Sequence, residues 1–199
     1  MKKIKDYYFY KAKKDGYVAR SAYKIEEINK KYRIINPGNK VLDLGCSPGS
    51  WLQYIHRKVG SSGQVLGVDL QPVKISLPSN VIVIQADIFE LTEIELKFEG
   101  GQADVILSDM SPRTSGIRTI DAHRSFELNK KVLNLANDIL RPKGSLLVKG
   151  FQNILIDELC SEFRNMFAKV KLCKPKSSRP ESVEIFILGT GKKKNFLKN

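Results

Sequence analysis

Short apolar runs recur along the chain, and stretches with the periodicity of amphipathic helices separate them. Four of the runs are rich in β-branched residues and carry an aspartate at or near the end. They cover residues 40–44, 64–69, 81–87 and 103–109. A fifth run, 145–150, stays apolar until Lys149. Near-continuous apolar strands that alternate with helices are typical of a parallel sheet with both faces covered, so the pattern predicts five parallel strands.

Two further apolar runs, 170–173 and 182–188, lie close together near the end of the chain. The residues between them, 174–181, are too few for a crossover helix, so these two strands must pair antiparallel. The sequence thus predicts an α/β fold with a mostly parallel seven-stranded sheet. A C-terminal antiparallel hairpin completes the sheet, and helices cover both of its faces.

A helix is predicted to precede the first strand. Ser21 has the character of an N-cap. Ile25 and Ile28 follow at a spacing that turns both toward the core, whereas Lys24 lies one residue away from this stripe. Taken alone, Lys24 is therefore predicted to be a solvated surface lysine.

Two more helices are predicted in the second half of the chain. The longer one covers residues 121–140, and the turn at 141–144 is expected to end it. The shorter one is predicted to start near Ile154 and to continue through Phe167.

The aspartates at the strand ends are Asp43, Asp69, Asp87 and Asp109. In open parallel sheets, ligands bind in the crevice beyond the carboxyl ends of the strands. A single aspartate in such a position is often just a helix cap, but four of them make chance a poor explanation. We therefore expect the four carboxylates to converge on one crevice.

A glycine-containing turn at residues 45–49 follows the first strand. It is not a G-x-G-x-x-G turn, and it lacks the Gly-Lys-Ser/Thr of a P-loop, which disfavours hydrolysis of nucleoside triphosphates. Asp69 suits recognition of ribose hydroxyls, and Asp87 suits the amino group of adenine. A ligand with adenine and ribose but without a required phosphate points to S-adenosyl-L-methionine.

Lys149 brings a positive charge to the end of an apolar strand. Burial disfavours the charged form of an amine, as does a second nearby ammonium such as that of Lys24. Both effects favour the neutral form that a lysine general base needs. The alternative is a lysine whose amine reaches solvent at the strand end.

Composition narrows the class of protein. The chain has 199 residues, enough for one domain, and its net charge of +13 favours a polyanionic partner such as RNA, although a merely solvated basic surface is the alternative. No apolar run approaches the roughly 20 residues that a membrane span needs. The three cysteines have neither CxxC spacing nor a histidine cluster, which predicts a reduced compartment and no structural metal site.

The ends of the chain differ from the middle. Residues 1–20 interleave lysines with tyrosines. They form either an RNA-contacting arm or a segment whose rings pack on the domain. A single catalytic domain is predicted at 21–190, and a basic, disordered tail at 191–199.

Five motifs occur in the order found in FtsJ-type RNA 2′-O-ribose methyltransferases. They are RSAYKI at 20–25, DLGCSPGSW at 43–51, SDMSP at 108–112, LVKGFQ at 147–152 and KPKSSRPESVE at 174–184. Each motif alone is moderately specific, but the ordered set spans nearly the whole chain, which therefore resembles this family. The resemblance implies a Rossmann-like class I fold that binds S-adenosyl-L-methionine.

The resemblance also implies roles for single residues. The Lys-Asp-Lys-Glu tetrad of the family falls on Lys24, Asp109, Lys149 and Glu184. Lys149 would deprotonate or orient a ribose 2′-hydroxyl, Asp109 and Lys24 would set the charge and position of Lys149, and Glu184 would orient the nucleophile or the base. The implied cofactor site consists of Gly45, Gly49, Trp51, Asp69, Asp87 and Asp109.

The substrate is suggested by the motif at 109–112. Its Asp-Met-Ser-Pro resembles members that act on ribosomal RNA, whereas members that act on tRNA more often have glycine after the aspartate. We therefore expect a cytoplasmic monomer that methylates a uridine of large-subunit, 23S-type ribosomal RNA. An organellar matrix is the alternative location if a transit peptide has been removed.

Three other functions compete with this one. They are a 2′-O-methyltransferase of the tRNA anticodon loop, a non-catalytic RNA-binding factor in ribosome assembly, and a methyltransferase of DNA or of small molecules. The complete tetrad argues against the second. The absence of an Asn-Pro-Pro-Tyr-type motif and the basic composition argue against the third.

Overall fold

The computed structural model describes residues 7–92, 95–96, 98–112, 115–153, 155–179 and 181–194. Its helices are α1 (Tyr7–Lys14), α2 (Ala22–Tyr32), α3 (Ser50–Val59), α4 (Arg118–Ile139) and α5 (Ile156–Met166). Its strands are β1 (Lys40–Leu44), β2 (Gln64–Asp69), β3 (Val81–Gln85), β4 (Ala103–Ser108), β5 (Leu140–Phe151), β6 (Phe167–Cys173) and β7 (Glu184–Lys192). Within these ranges, no helix is long and apolar enough to cross a membrane.

The seven strands form one sheet in the order β3-β2-β1-β4-β5-β7-β6. The first five strands pair in parallel, as predicted. The final strand, β7, lies between β5 and β6 and is antiparallel to both, so β6 is an edge strand. The predicted α/β fold, with its mostly parallel sheet and C-terminal antiparallel hairpin, is confirmed.

Two apolar layers cover the faces of this sheet. On one face, α3 packs against β1 and β2, α2 packs on α3, and Ile25 and Ile28 are buried in this layer as predicted. On the other face, α4 and α5 pack against the central strands, with Phe163 fully buried. Because both faces are covered, the central strands are apolar almost throughout, which is why their sequence shows runs rather than alternation.

The end of α4 differs from the prediction. The helix begins at Arg118 and ends at Ile139, and Leu140 already pairs with Ala103 on β4. Residues 141–144, predicted to be a turn that ends the helix, belong to β5, at a point where its register with β4 shifts. Pairing with β4 therefore begins directly after the helix, at Leu140, where a separate turn was predicted to follow.

Two further predictions at strand ends are wrong. Phe167, assigned to a helix, is the first residue of β6, and its ring packs against that of Phe163 with the centroids 5.6 Å apart. Lys192, assigned to a disordered tail, ends β7 and is buried, with its Nζ donating hydrogen bonds to the carbonyl oxygens of Asn137 and Leu140. These carbonyl groups lie at the C-terminal end of α4, where they lack partners within the helix, and the Lys192 ammonium supplies the missing hydrogen bonds.

The predicted arm contains a helix, α1, that packs on α2. The ring of Tyr8 lies 5.5 Å from that of Tyr23, whose hydroxyl donates to Asp15 at 2.7 Å. Ser21 precedes α2, but its hydroxyl pairs with that of Ser50 at 2.7 Å and caps nothing. Residues 1–6 of the arm and 195–199 of the tail lie outside the described residues.

Candidate active site

Four elements distant in sequence supply the predicted tetrad. Lys24 lies on α2, Asp109 follows β4, Lys149 lies near the end of β5, and Glu184 begins β7. Parallel pairing of β4 with β5 sets Ser108 opposite Val148, so the next residue on each strand belongs to the tetrad. Antiparallel pairing of β5 with β7 then brings the start of β7 to the same edge.

The tetrad is a compact cluster of two ammonium and two carboxylate groups. Lys149 Nζ lies 3.0 Å from Asp109 Oδ1 and donates to the main-chain carbonyl oxygen of Asp109 at 2.6 Å. Lys24 Nζ donates to Glu184 Oε2 at 2.7 Å. Longer contacts close the ring, with Lys149 Nζ 3.7 Å from Glu184 Oε1 and Lys24 Nζ 3.9 Å from Asp109 Oδ1. Each charge therefore faces two opposite charges.

Burial strengthens these interactions. The side chain of Lys149 is 7% exposed and that of Lys24 is 13% exposed, so the prediction of a solvated Lys24 is wrong. Burial opposes ionisation of Glu184, but its hydrogen bond to Lys24 and the charges of Lys24 and Lys149 outweigh that effect. The pKa of Glu184 is therefore lowered below its usual value.

A cleft of about 600 Å³ opens beside the tetrad at the carboxyl ends of β1 to β4. Its wall includes four of the predicted cofactor residues, Gly45, Asp69, Asp87 and Asp109. Asp109 belongs to both the tetrad and the cleft. The volume lies in the range of pockets that hold a cofactor-sized ligand.

Main-chain amides hold the acids of the cleft in position. Asp69 accepts hydrogen bonds from the amides of Ser47 at 2.9 Å and Gln71 at 2.8 Å, one on each carboxylate oxygen. Asp87 accepts one from the amide of Phe89 at 2.9 Å. Carboxylate oxygens have further lone pairs, so both acids can still accept hydrogen bonds from hydroxyl or amino groups of a ligand.

The turn after β1 requires glycine at the wall of the cleft. Gly45 has a φ of +80°, and a Cβ atom there would lie 2.7 Å from the side chain of Met110 and 2.9 Å from its main-chain nitrogen. A side chain at this position would therefore displace Met110, which also lines the cleft. Glycine at this position would therefore let a ligand in the cleft approach the backbone of the turn closely.

Two predicted cofactor residues lie outside the wall of this cleft. Gly49 precedes α3, and a Cβ atom there would lie 2.7 Å from the side chain of Ile75. Trp51 is buried, and its indole nitrogen donates to the carbonyl oxygen of Ser21 at 2.8 Å. Its ring packs against that of Phe186 on β7, with the centroids 6.0 Å apart. A cofactor-binding role for Gly49 and Trp51 stays a prediction.

Asp43 departs from the predicted convergence of four acids. It is fully buried within β1, and it does not belong to the wall of the cleft. Burial raises the pKa of its carboxyl group well above the usual value, and the negative charges of Asp109 and Asp69 raise it further. Asp43 therefore lies behind the crevice that the other three strand-end acids share.

Sequence reasoning missed the contribution of α4. His123, Arg124, Glu127 and Leu128 line the cleft from this helix, at spacings of three and four residues that form one helical face. Asn129 is buried on the adjacent face, and its side-chain amide donates to the carbonyl oxygen of Lys149 at 3.0 Å. A polar residue three positions after Phe126 and three before Val132, on an apolar stripe, was the signal that could have identified it.

Comparison with known proteins shows the family to which the chain belongs. The model of FtsJ-like methyltransferases matches residues 17–192. Ribosomal RNA large subunit methyltransferase E from Syntrophobacter fumaroxidans is 46% identical over 188 residues, which cover 94% of this chain and 95% of that protein. The chain belongs to the FtsJ-like methyltransferase family. The prediction of a methyltransferase is confirmed, and so is the predicted cofactor class.

Solved structures also resemble this FtsJ-like methyltransferase. A Plasmodium falciparum protein described as a ribosomal RNA methyltransferase aligns with a TM-score of 0.79 at 27% identity, covering 88% of this chain and 98% of that one. Fibrillarin from Aeropyrum pernix, solved with bound S-adenosyl-L-methionine, aligns with a TM-score of 0.62 at 16% identity. That alignment covers 85% of this chain and 76% of the fibrillarin chain. The predicted methyltransferase fold is confirmed.

The residues of this FtsJ-like enzyme fit S-adenosyl-L-methionine. Three aspartates line the cleft, and carboxylates are suited to accept hydrogen bonds from the hydroxyl, amino and ammonium groups of that molecule. Gly45 supplies a backbone surface that a side chain would block. The cofactor brings a methyl group that is already activated by a positively charged sulfur, so the chain must supply position and proton transfer.

Proposed function

We propose that this enzyme transfers the methyl group of S-adenosyl-L-methionine to a ribose 2′-hydroxyl of large-subunit ribosomal RNA, with a uridine as the target. One observation carries the proposal: Asp109 lies both in the wall of the cofactor-sized cleft and in the lysine-rich tetrad. A hydroxyl group held at the tetrad would therefore lie next to the cleft. The reacting groups would be close without a large conformational change.

Lys149 is the proposed general base. After its ammonium has lost one proton to solvent, its neutral Nζ would accept the proton of the 2′-hydroxyl as the oxygen attacks the methyl carbon. Asp109 holds this nitrogen by two oxygens, one from the side chain and one from the main chain. A tightly held amine loses little entropy on reaction, which is the benefit of a preorganised site.

Lys24 and Glu184 are proposed to position the reaction. Their contact at 2.7 Å fixes both side chains at the edge of the cluster. Because the pKa of Glu184 is lowered, this group is ionised at neutral pH and can accept a hydrogen bond from the substrate or from Lys149. Lys24 also lies 3.9 Å from Asp109, so it contacts both carboxylates of the tetrad.

The choice of substrate rests on the relatives and on charge. The curated relative from Syntrophobacter fumaroxidans bears the name of a large-subunit ribosomal RNA methyltransferase. The net charge of +13 suits a polyanion. A ribosomal substrate agrees with the predicted cytoplasmic location, and action as a monomer is part of the proposal.

Purified protein and labelled S-adenosyl-L-methionine test the proposal. Ribosomal subunits and tRNA should both come from a strain that lacks the enzyme, so that the target positions are unmethylated. We expect label in the RNA of the large subunit, and mapping should assign it to a uridine 2′-oxygen. Label confined to tRNA would support an anticodon-loop enzyme instead, and label in neither RNA would contradict the proposed reaction.

A further inference from the structure

A second large groove lies at the β6 edge of the sheet, away from the cofactor cleft. We call it the lateral groove. It has a volume of about 670 Å³, and residues of α1, of α2 and of the segment 172–176 line it. It shares no lining residue with the cofactor cleft. Cofactor binding therefore does not account for the residues that line this groove.

The charge of the lateral groove is strongly positive. Five lysines line it, against two glutamates. The lysines are Lys11, Lys30, Lys31, Lys174 and Lys176. Local contacts already occupy both glutamates. Glu26 pairs with Lys30 at 2.5 Å, and Glu27 accepts hydrogen bonds from the main-chain amides of Lys176 at 2.7 Å and Ser177 at 3.0 Å.

Two lysines of the groove remain available for an outside partner. Lys31 and Lys176 have no carboxylate partner in the part of the chain that the structure describes. Lys174 also lacks one there, but its Nζ donates to the carbonyl oxygen of Ser182 at 3.1 Å. They lie on opposite walls, Lys31 on α2 and Lys176 beyond the end of β6. Two ammonium groups on opposite walls are suited to successive phosphates of a backbone that runs between them.

Aromatic rings accompany the charges. Tyr7 is 71% exposed at the rim of the groove. Lys31 Nζ lies 5.2 Å from the centre of the Tyr32 ring, and Lys11 Nζ lies 4.2 Å from that of Tyr23. Tyr23 is buried, so Tyr7 is the ring that is exposed enough to stack on a base. An exposed ring near cations is a combination that binds single-stranded RNA, because the ring stacks on a base while the cations neutralise phosphates.

We propose that the lateral groove binds the stretch of ribosomal RNA that flanks the methylated nucleotide. The RNA backbone would run between Lys31 and Lys176, and Tyr7 would stack on a base. This inference rests on the proposed function, since it takes the same RNA molecule to be the substrate. It adds a binding surface that is separate from the site of reaction.

The fold connects this surface to the tetrad. Helix α2 carries Lys24 and also forms one wall of the groove. The other wall, at 172–176, precedes Glu184 at the start of β7 by eight residues in sequence. Glu27 and Arg20 tie the two walls together, because the Arg20 guanidinium donates to the carbonyl oxygen of Ser177. RNA held in the groove is thereby held in a fixed position relative to Lys24 and Glu184.

A double charge reversal tests the proposal. The variant Lys31→Glu/Lys176→Glu should raise the KM for large-subunit RNA by about tenfold or more and leave kcat and cofactor affinity unchanged, because it removes binding that ground state and transition state share. The plot of log affinity against log salt concentration has a negative slope, and the magnitude of this slope should decrease by about 1.5, because two phosphate contacts are lost. Tyr7→Ala should raise the KM by about fivefold or more through lost stacking.

The matched control is Lys58→Glu/Lys169→Glu. It makes the same change in net charge at two exposed lysines that do not line the groove. We expect its KM to stay close to that of the wild type. Equal effects of the two double variants would overturn the proposal, because they would show that only net charge matters. Thermal melting of each variant should show that all are folded.

Two further outcomes would also overturn it. If the groove variant methylates protein-free RNA normally and binds only assembled subunits weakly, the partner of the groove is a ribosomal protein. A groove variant with the wild-type KM on every RNA would refute RNA binding in the groove. It would leave the proposed function intact, since the wild-type enzyme would still methylate ribosomal RNA. Failure of the wild-type enzyme on ribosomal RNA would instead refute the proposed function.

Discussion

The two halves of the active site are held together by different kinds of contact. In the tetrad, charged side chains from four separate elements hold one another, with contacts between 2.7 and 3.9 Å. In the cofactor cleft, main-chain amides hold the acids, and two of these amides lie two residues after the acid they contact. One half depends on tertiary packing and the other mainly on local turns.

This difference determines how each half should respond to substitution. Removing one member of the tetrad leaves a partly buried charge without its partner, so the effects on neighbouring groups should be large and non-additive. Removing Asp69 or Asp87 leaves the other one in position, because each accepts a hydrogen bond from an amide of its own turn. Substitutions in the tetrad should therefore lower the reaction rate with non-additive effects. Substitutions of the cleft acids should instead weaken cofactor binding with additive effects.

The largest expected effect is that of Lys149→Ala. Loss of the general base should lower kcat by about 10²- to 10⁴-fold, while cofactor affinity and RNA affinity stay close to wild type. Single-turnover transfer of a labelled methyl group measures the first quantity, and equilibrium binding measures the other two. Activity that survives in this variant would remove the proposed role of Lys149.

Asp69→Asn should act on the other half of the site. Both oxygens of Asp69 accept main-chain amides, so an asparagine must turn its NH₂ group toward one of them. We expect cofactor affinity to fall by about 10- to 100-fold, with RNA affinity unchanged. Calorimetric titration of the cofactor measures this loss.

Asp87→Asn is the matched control for Asp69→Asn. Asp87 accepts a hydrogen bond from the main-chain amide of Phe89, which the side-chain oxygen of an asparagine can also accept. Its cofactor affinity should therefore fall less than that of the Asp69 variant. Equal losses in the two variants would mean that charge, and not the turn, decides binding in this half.

The local half of the site was the easier one to predict from sequence. Apolar runs that end in aspartate indicated the strands, and parallel strands bring such ends to one edge, so Asp69, Asp87 and Asp109 were found from periodicity alone. Asp43 was the exception. Its side chain lies behind the crevice, because it precedes the last residue of β1 and its neighbours on the sheet cover it.

The tertiary half needed more than periodicity. The spacing of apolar residues in α2 predicted that Lys24 would be solvated. Nothing in the sequence of the helix itself shows that the start of β7 packs beside this lysine. Only the resemblance to a family joined Lys24 to Glu184. The end of α4 was mispredicted for a similar reason, since pairing of Leu140 with β4 depends on a strand far away in sequence.

Glu184→Gln tests the ion pairs of the tetrad through the pH dependence of stability. The lowered pKa of Glu184 means that its ionised form stabilises the folded state at neutral pH, and that this contribution is lost as the pH falls from its usual value of 4.5 through the folded value. The wild type should therefore melt at a higher temperature than the variant at neutral pH, and the difference should vanish in acid. Melting curves across this pH range measure it.

Glu162→Gln is the control for the pH experiment. Glu162 pairs with Lys130 at 3.8 Å, but both side chains are more than one third exposed. Such a surface pair contributes little to stability. We expect its melting temperature to follow that of the wild type at every pH, and a pH-dependent gap as large as that of Glu184→Gln would contradict the buried ion pair as the cause.

The smallest expected effect decides to which half Trp51 belongs. Trp51→Phe removes the hydrogen bond to the carbonyl oxygen of Ser21 but keeps a ring against Phe186. Stability should fall by about 1 kcal/mol in urea denaturation. Since Ser21 lies directly before the helix that carries Lys24, and Phe186 lies on the strand that carries Glu184, kcat should fall while cofactor affinity holds. Weaker cofactor binding with unchanged kcat would instead assign Trp51 to the cofactor half, as the resemblance to the family implies.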